Sequence, residues 1–76
     1  MAGHVTKKEL QTTIGNNIKK ARARQNISAQ ELASRCNFEK STMSRLEAGN
    51  TNPTAFTLYK VCQALGIEMK ELVKGV

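Results

Sequence analysis

Four polar side chains near the middle of the chain could together bind a ligand that offers hydrogen bonds. They are Lys40, Ser41, Ser44 and Arg45. At helical spacing they form one contiguous arc that contains no apolar side chain, while Met43 and Leu46 point to the other side. A helix with such an arc can lie in the major groove of DNA, where each base pair offers a distinct pattern of donors and acceptors.

The elements that must position this arc are two short helices joined by a polar break, between Ser28 and Gly49. The apolar stripe of the first helix consists of Ala29, Leu32, Ala33 and Cys36. Ser28 and Glu31 have the spacing of a capping box, which predicts a helix start near Ser28. Asn37 tolerates the left-handed backbone conformation, which predicts an end near Cys36. This pattern is typical of a helix-turn-helix, which lays its second helix in the major groove.

The charge balance favours a polyanionic partner. The 76 residues include 12 Lys and Arg against 6 acidic residues, all Glu, for a formal net charge of +6. A solubilising surface is an equally good interpretation of that excess alone. Clustering favours nucleic acid, because basic residues gather between residues 19 and 24, just before the helix-turn-helix, and recur on the outward arc.

Other classes of protein find little support in the sequence. Cys36 and Cys62 lie at apolar helix positions without metal-ligand spacing, so we expect buried thiols in a cytoplasmic protein. His4 is the single histidine and is expected to be a solvated tail residue. There is no pairing of nucleophile and base, no glycine-rich phosphate loop and no apolar run long enough for a membrane span. We therefore expect no enzyme activity, no cofactor, no metal site and no membrane association.

The segment before the helix-turn-helix predicts one further helix. Its apolar positions at helical spacing are Leu10, Ile14, Ile18 and Ala21, and it should end near Gln25. Its start is open. Thr6 and Glu9 could form a capping box and start it early, whereas Thr12 and Thr13 could cap a later start.

The segment after Gly49 predicts two more helices. Thr54 is a good N-cap for a helix that ends near Leu65 before Gly66. Its apolar face consists of Ala55, Leu58, Val61, Cys62 and Leu65. A last short helix over 67–73 should pack through Leu72, with Met69 or Val73 beside it. We thus expect an all-α fold of five helices around one core, with an N-terminal arm at 1–12 that could extend helix 1, and a helix-turn-helix domain at 13–74.

The chain from about Ile14 to Val73 resembles the lambda-repressor-like DNA-binding domain of the XRE family. The matching residues are Ile14, Ile18 and Arg22, then Gln30-Glu31-Leu32-Ala33, then the run from Ser41 to Gly49, then Asn52-Pro53-Thr54 and Ala64-Leu65-Gly66-Ile67. The resemblance implies a compact five-helix domain with helices 2 and 3 as the helix-turn-helix.

The resemblance also implies which residues meet DNA. The base-contacting positions correspond to Lys40, Ser41, Ser44 and Arg45. Of these, Arg45 is best suited to read guanine with two hydrogen bonds, and Lys40 could meet guanine or a phosphate. The phosphate-contacting positions correspond to Gln30, Asn50, Thr51 and Asn52. Ala29 replaces a glutamine that many relatives carry at the start of helix 2, so one phosphate contact departs from the family pattern.

Two further pairs of residues receive roles. The resemblance implies a structural salt bridge between Arg22 and Glu47, and a direct contact of Arg22 with phosphate is the alternative. Phe56 and Tyr59 lie beside or beyond the apolar face of helix 4 and suggest a partner surface, although single exposed apolar residues are common. Because relatives usually bind two-fold symmetric operators as dimers, we expect a weak homodimer through helices 4 and 5.

The sequence therefore predicts a sequence-specific regulator of transcription that binds double-stranded DNA. We expect a repressor-type protein that binds a two-fold symmetric operator as a dimer through a recognition helix at 39–47. The alternative is an antitoxin-type module of the same fold that neutralises a partner protein.

Overall fold

The computed structural model describes residues 4–76, and residues 1–3 of the predicted N-terminal arm lie outside them. Five helices follow one another along the chain, and no strand occurs in the described part. They are α1 (Lys7–Arg24), α2 (Ala29–Cys36), α3 (Lys40–Glu47), α4 (Ala55–Leu65) and α5 (Met69–Leu72). The predicted all-α, five-helix fold is confirmed.

Side-chain caps fix where the helices begin. Thr6 and Glu9 form a complete capping box, so α1 starts early and runs through much of the predicted arm. At α2 the predicted box is only half formed. The Ser28 hydroxyl accepts from the Glu31 backbone N–H, but the Glu31 carboxylate turns to Arg35 one helical turn later. A charged partner within reach competes successfully with the neutral N–H of the cap residue.

A residue in the left-handed backbone conformation follows each of the first four helices and ends it in the same way. Asn26, Asn37, Gly49 and Gly66 have φ between 58° and 75°. In each case the next backbone N–H reaches back to a carbonyl five residues earlier, the hydrogen bond of a Schellman motif. After three of these turns the next residue is apolar and packs against the core, and these residues are Ile27, Phe38 and Ile67. The ends predicted at Asn37 and Gly66 are confirmed.

One core forms between the helices. Its buried apolar members are Ile14, Ile18, Ala21, Leu32, Ala33, Cys36, Met43, Leu46, Val61, Cys62, Leu65 and Leu72. Ala55 was expected on the buried face of α4, but it is exposed, because it is the first residue of α4 and the helix meets the core one turn later at half-buried Leu58. Neither neighbour expected beside Leu72 is buried. Met69 and Val73 are both 42% exposed, since α5 is a single short turn that directs only Leu72 inward.

Candidate nucleic-acid interface

Helix α3 has one buried side and one exposed side. Met43, Leu46 and Glu47 are buried. The four residues predicted to contact bases, Lys40, Ser41, Ser44 and Arg45, are all exposed. None of the ion pairs among residues 4–76 involves Arg45 or Lys40, so their charges are not consumed by neighbouring carboxylates. The surface can therefore offer two cationic donors and two hydroxyls to one ligand.

The position of α3 is set by an unusually close approach of α1. A Cβ placed on Gly15 would lie 2.8 Å from the Leu46 carbonyl oxygen and would also meet the main chain of Glu47. Both contacts are with backbone, which cannot turn aside as a side chain could. Glycine at position 15 therefore allows α1 to support the C-terminal half of α3 directly.

Arg22 and Glu47 join the same two helices through an ion pair. The Arg22 Nε donates to Glu47 Oε2 at 2.9 Å, and its Nη2 donates to Oε1 at 3.1 Å. Its remaining nitrogen, Nη1, donates to the carbonyl of Ile27 at 3.1 Å and so ties the link between α1 and α2 to the same pair. The Glu47 side chain is only 9% exposed and that of Arg22 is 21% exposed. The bidentate ion pair therefore provides hydrogen bonds to a carboxylate that has little access to water.

The residues predicted to contact phosphate lie at two places beside α3. Gln30 is exposed in the first turn of α2, where backbone N–H groups and the helix dipole favour an anion. Asn50 and Asn52 are exposed after the end of α3, and Thr51 between them is half-buried. The structure thus places polar groups near both ends of α3.

Lys8 is a residue that reasoning from the sequence missed. Its Nζ donates to the Gly49 carbonyl at 2.7 Å and to the Asn50 Oδ1 at 2.9 Å. The ammonium of α1 therefore lies against the loop that follows α3. The capping box of Thr6 and Glu9 indicated only that Lys8 is helical, and it carried no information about the contact with Gly49 and Asn50.

Phe56 and Tyr59 are exposed on α4, by 67% and 49%. Lys60 lies next to them, with its Nζ 5.0 Å from the centre of the Phe38 ring and 5.7 Å from that of Phe56. Such distances allow cation–π attraction to both rings. The Tyr59 hydroxyl accepts a hydrogen bond from Gln63 on the same helix. Lys60 thus connects Phe38, in the link between α2 and α3, with the aromatic residues of α4, and reasoning from the sequence did not predict this contact.

The two cysteines are buried and unpaired, as predicted. Burial raises the pKa of the Cys36 thiol, and the nearby Lys60 partly offsets this rise. Burial also raises the pKa of Cys62, and the negative charge of Glu71 adds to it. Both thiols therefore act as small core side chains in their neutral form.

None of the helices in residues 4–76 is long and apolar enough to cross a bilayer.

Comparison with known proteins identifies a family and several relatives that the chain matches. Residues 18–72 match the family described as Helix-turn-helix (HTH_3). The chain is 35% identical over 65 residues to the uncharacterized HTH-type transcriptional regulator y4dJ of Sinorhizobium fredii (strain NBRC 101917 / NGR234). That match covers 86% of this chain and 84% of the relative.

A phage protein and a solved structure are also similar. The chain is 33% identical over 61 residues to the immunity repressor protein of Bacillus phage phi105, which covers 80% of this chain and 42% of the phage protein. The restriction-modification controller protein C.AhdI from Aeromonas hydrophila superposes with a TM-score of 0.78 at 26% identity, and the match covers 82% of this chain and 94% of that one.

Proposed function

The chain belongs to the helix-turn-helix family and is a transcriptional regulator, and we propose that it represses transcription by occupying a two-fold symmetric operator as a dimer. The prediction of a regulator and not an enzyme is confirmed by this membership. The proposal goes further in three respects: which residues meet the DNA, how many copies bind and which direction the regulation takes.

The observation that carries the proposal is the exposed side of α3, where Lys40 and Arg45 stand free of ion pairs. Lys40 lies in the first turn of α3, where the helix dipole disfavours a cation. A side chain that costs local stability at an exposed position is expected where function requires it. We assign base contacts to Lys40, Ser41, Ser44 and Arg45, with Arg45 as the reader of guanine.

The flanks of α3 are assigned to the DNA backbone. Gln30 offers an amide beside the N-terminus of α2, and Asn50, Thr51 and Asn52 offer neutral donors after α3. Contacts near both ends of α3 would fix its direction in the groove, whereas contacts near one end would leave it free to tilt.

Repression is favoured over activation by the resemblance to the phage immunity repressor. A domain that covers a promoter excludes other proteins by its presence alone and needs no contact with them. Dimerisation is assigned to the surface formed by Phe56 and Tyr59, because large apolar side chains that neighbour each other on α4 would gain by mutual burial.

Selection of bound sites from random duplex DNA tests this function. We expect inverted repeats whose half-site centres lie about 10 base pairs apart, because two recognition helices must meet successive major grooves on one face of the duplex. Affinity for the selected site should fall steeply as salt rises, since Lys and Arg release counterions from phosphates.

A matched pair of variants makes the selection specific to α3. Arg45→Ala and Lys70→Ala remove the same charge from exposed positions, the first on α3 and the second on α5. Arg45→Ala should relax the selected motif at one base position, and Lys70→Ala should retain the whole motif. Failure of the unsubstituted chain to retain any duplex at low salt would refute DNA binding and would favour the protein-binding alternative.

A further inference from the structure

The first turn of α1 touches the loop that follows the recognition helix. Lys8 Nζ bridges the Gly49 carbonyl oxygen and the Asn50 side-chain oxygen. The two residues come directly after Ala48, the C-terminal cap of α3. A cation from the beginning of the chain is thereby brought next to a residue assigned to the DNA backbone.

The charge of this ammonium is not neutralised by its partners. Both acceptors, the Gly49 carbonyl and the Asn50 Oδ1, are neutral oxygens, and none of the ion pairs within residues 4–76 includes Lys8. An ammonium has three N–H donors, and the two bonds occupy two of them. The full positive charge and one donor therefore remain for an anion.

The same contact orients the Asn50 side chain. Because its Oδ1 accepts from Lys8, its Nδ2 is the other branch of the same planar amide, and the two N–H donors of Nδ2 remain open. The main chain of Asn50 is also held, since its N–H donates to the carbonyl of Arg45 at 3.0 Å. Hydrogen bonds thus hold both the main chain and the side-chain amide of Asn50.

The loop is rigidly placed against α1. Gly49 has φ of 75°, and a Cβ on it would lie 2.9 Å from the Thr12 Cα. Lys8 itself lies in the turn that the Thr6 and Glu9 capping box closes. The relative position of Lys8 and Asn50 is therefore set by the fold before any ligand arrives.

From this geometry we infer that Lys8 and Asn50 form one preassembled site for a phosphate oxygen of the DNA backbone, a proposal that rests on the DNA-binding function above. Lys8 supplies the charge and one N–H, and Asn50 supplies its amide N–H groups. A site of this kind does not need to reorganise when it binds. It therefore loses little conformational freedom when a phosphate replaces the water around Lys8 and Asn50. It also makes the first turn of α1 part of the DNA-binding surface.

Lys8→Met and Lys7→Met form a matched pair for the test. They remove one charge from adjacent exposed residues of α1, and Lys8 alone holds Gly49 and Asn50. The dissociation constant of each variant is measured on the selected operator and on a random duplex over a series of salt concentrations. Lys8→Met should weaken both duplexes and reduce the slope of log affinity against log salt by about 0.9, the value for one lost phosphate contact. Lys7→Met should reduce it by clearly less.

A third variant tests whether the charge at position 8 is what the phosphate requires, and a double variant tests whether Lys8 and Asn50 act together. Lys8→Arg keeps the charge and the donors and should retain the slope of the unsubstituted chain. Asn50→Ala combined with Lys8→Met should cost less than the sum of the two single losses, because the residues serve one phosphate.

Three results would overturn the inference. If Lys8→Met behaves like Lys7→Met, the site does not exist although DNA binding stands. If Lys8→Met weakens binding but leaves the salt slope unchanged, Lys8 only clamps the loop. If the unsubstituted chain binds no duplex at low salt, the proposed function and this site fall together.

Discussion

Gly15 in α1 lies directly against the main chain of Glu47 in α3. A Cβ on Gly15 would come within 2.8 Å of the Glu47 carbonyl carbon, a separation that real Cβ atoms essentially never show. The supporting helix and the recognition helix thus meet backbone to backbone near the C-terminal end of α3. That contact therefore helps to set how α3 packs against α1.

Gly15→Ala should destabilise the domain by about 1–3 kcal/mol, the usual cost of forcing an extra carbon into a packed interface. In an ordinary helix interior the same change would be stabilising by about 0.5–1 kcal/mol. Urea denaturation followed by circular dichroism measures the difference. Asn16→Ala, at the exposed neighbour, is the control and should leave the free energy of unfolding nearly unchanged. An increase in stability for Gly15→Ala would contradict the close approach.

Glu47→Gln should lower the free energy of unfolding by about 3 kcal/mol, the lower end of the range for breaking a buried ion pair, because Arg22 retains some access to water. The control is Glu31→Gln, which breaks the exposed pair with Arg35 and should cost less than about 1 kcal/mol. Thermal melts of both variants test this. Unchanged stability together with altered DNA binding would show that Arg22 and Glu47 act on the ligand and not on the fold.

Local signals explain why much of the fold could be predicted from the sequence. Asn37 and Gly66 end their helices because the left-handed conformation is cheap for Asn and Gly, and Thr54 caps α4 through its own hydroxyl. These preferences involve residues close together in the chain, so they are visible without the fold. Glu31 marks their limit. The spacing predicted that its carboxylate would accept from the N–H of the cap residue, and this was wrong because Arg35, one turn later, offers a charged donor.

The rest could not be predicted because it depends on contacts between distant segments. Lys8 meets Asn50 only after α1 and α3 have packed, and no spacing rule connects them. Ala55 fits the apolar period of α4, yet the period does not tell where along the helix the core begins. The exposed arc of α3 was predictable because its neighbours Met43 and Leu46 must be buried.

Arg45→Ala and Asn50→Ala should affect DNA binding differently. Loss of a side chain that reads guanine costs about 1–3 kcal/mol at the operator and relaxes the preference at one base position, whereas loss of a phosphate contact weakens all duplexes more evenly. Fluorescence anisotropy with operator and random duplexes measures both effects. If Arg45→Ala loses the same affinity for both duplexes, Arg45 contacts the DNA backbone and does not read a base.

Cys36 and Cys62 should react slowly with a thiol reagent in the folded chain at neutral pH and rapidly in urea, because burial raises both pKa values and little thiolate forms. A raised pKa in the fold means that the native thiols hold their protons more tightly than the unfolded ones. Their contribution to stability is therefore complete below the pKa of the unfolded thiol and declines as pH rises through the folded pKa. Urea melts at neutral and alkaline pH measure the decline. Rapid labelling of the native chain would contradict this.

Phe56→Glu should separate dimerisation from folding and from DNA contact. Phe56 is 67% exposed, so the substitution should leave the melting temperature nearly unchanged, and Lys60 beside it can accommodate a carboxylate. If Phe56 and Tyr59 form the surface between two copies, a charge there should reduce cooperative binding to the full operator far more than binding to a half-site. Ala23→Glu introduces the same charge at an exposed position of α1 and is the control for the change in net charge.

Because a domain this small offers limited apolar area, we expect the free dimer to be weak and DNA to promote it by holding two copies side by side. Analytical ultracentrifugation with and without operator measures that promotion. Equal losses on half-site and full operator, or unfolding of Phe56→Glu, would place the dimer surface elsewhere on the domain.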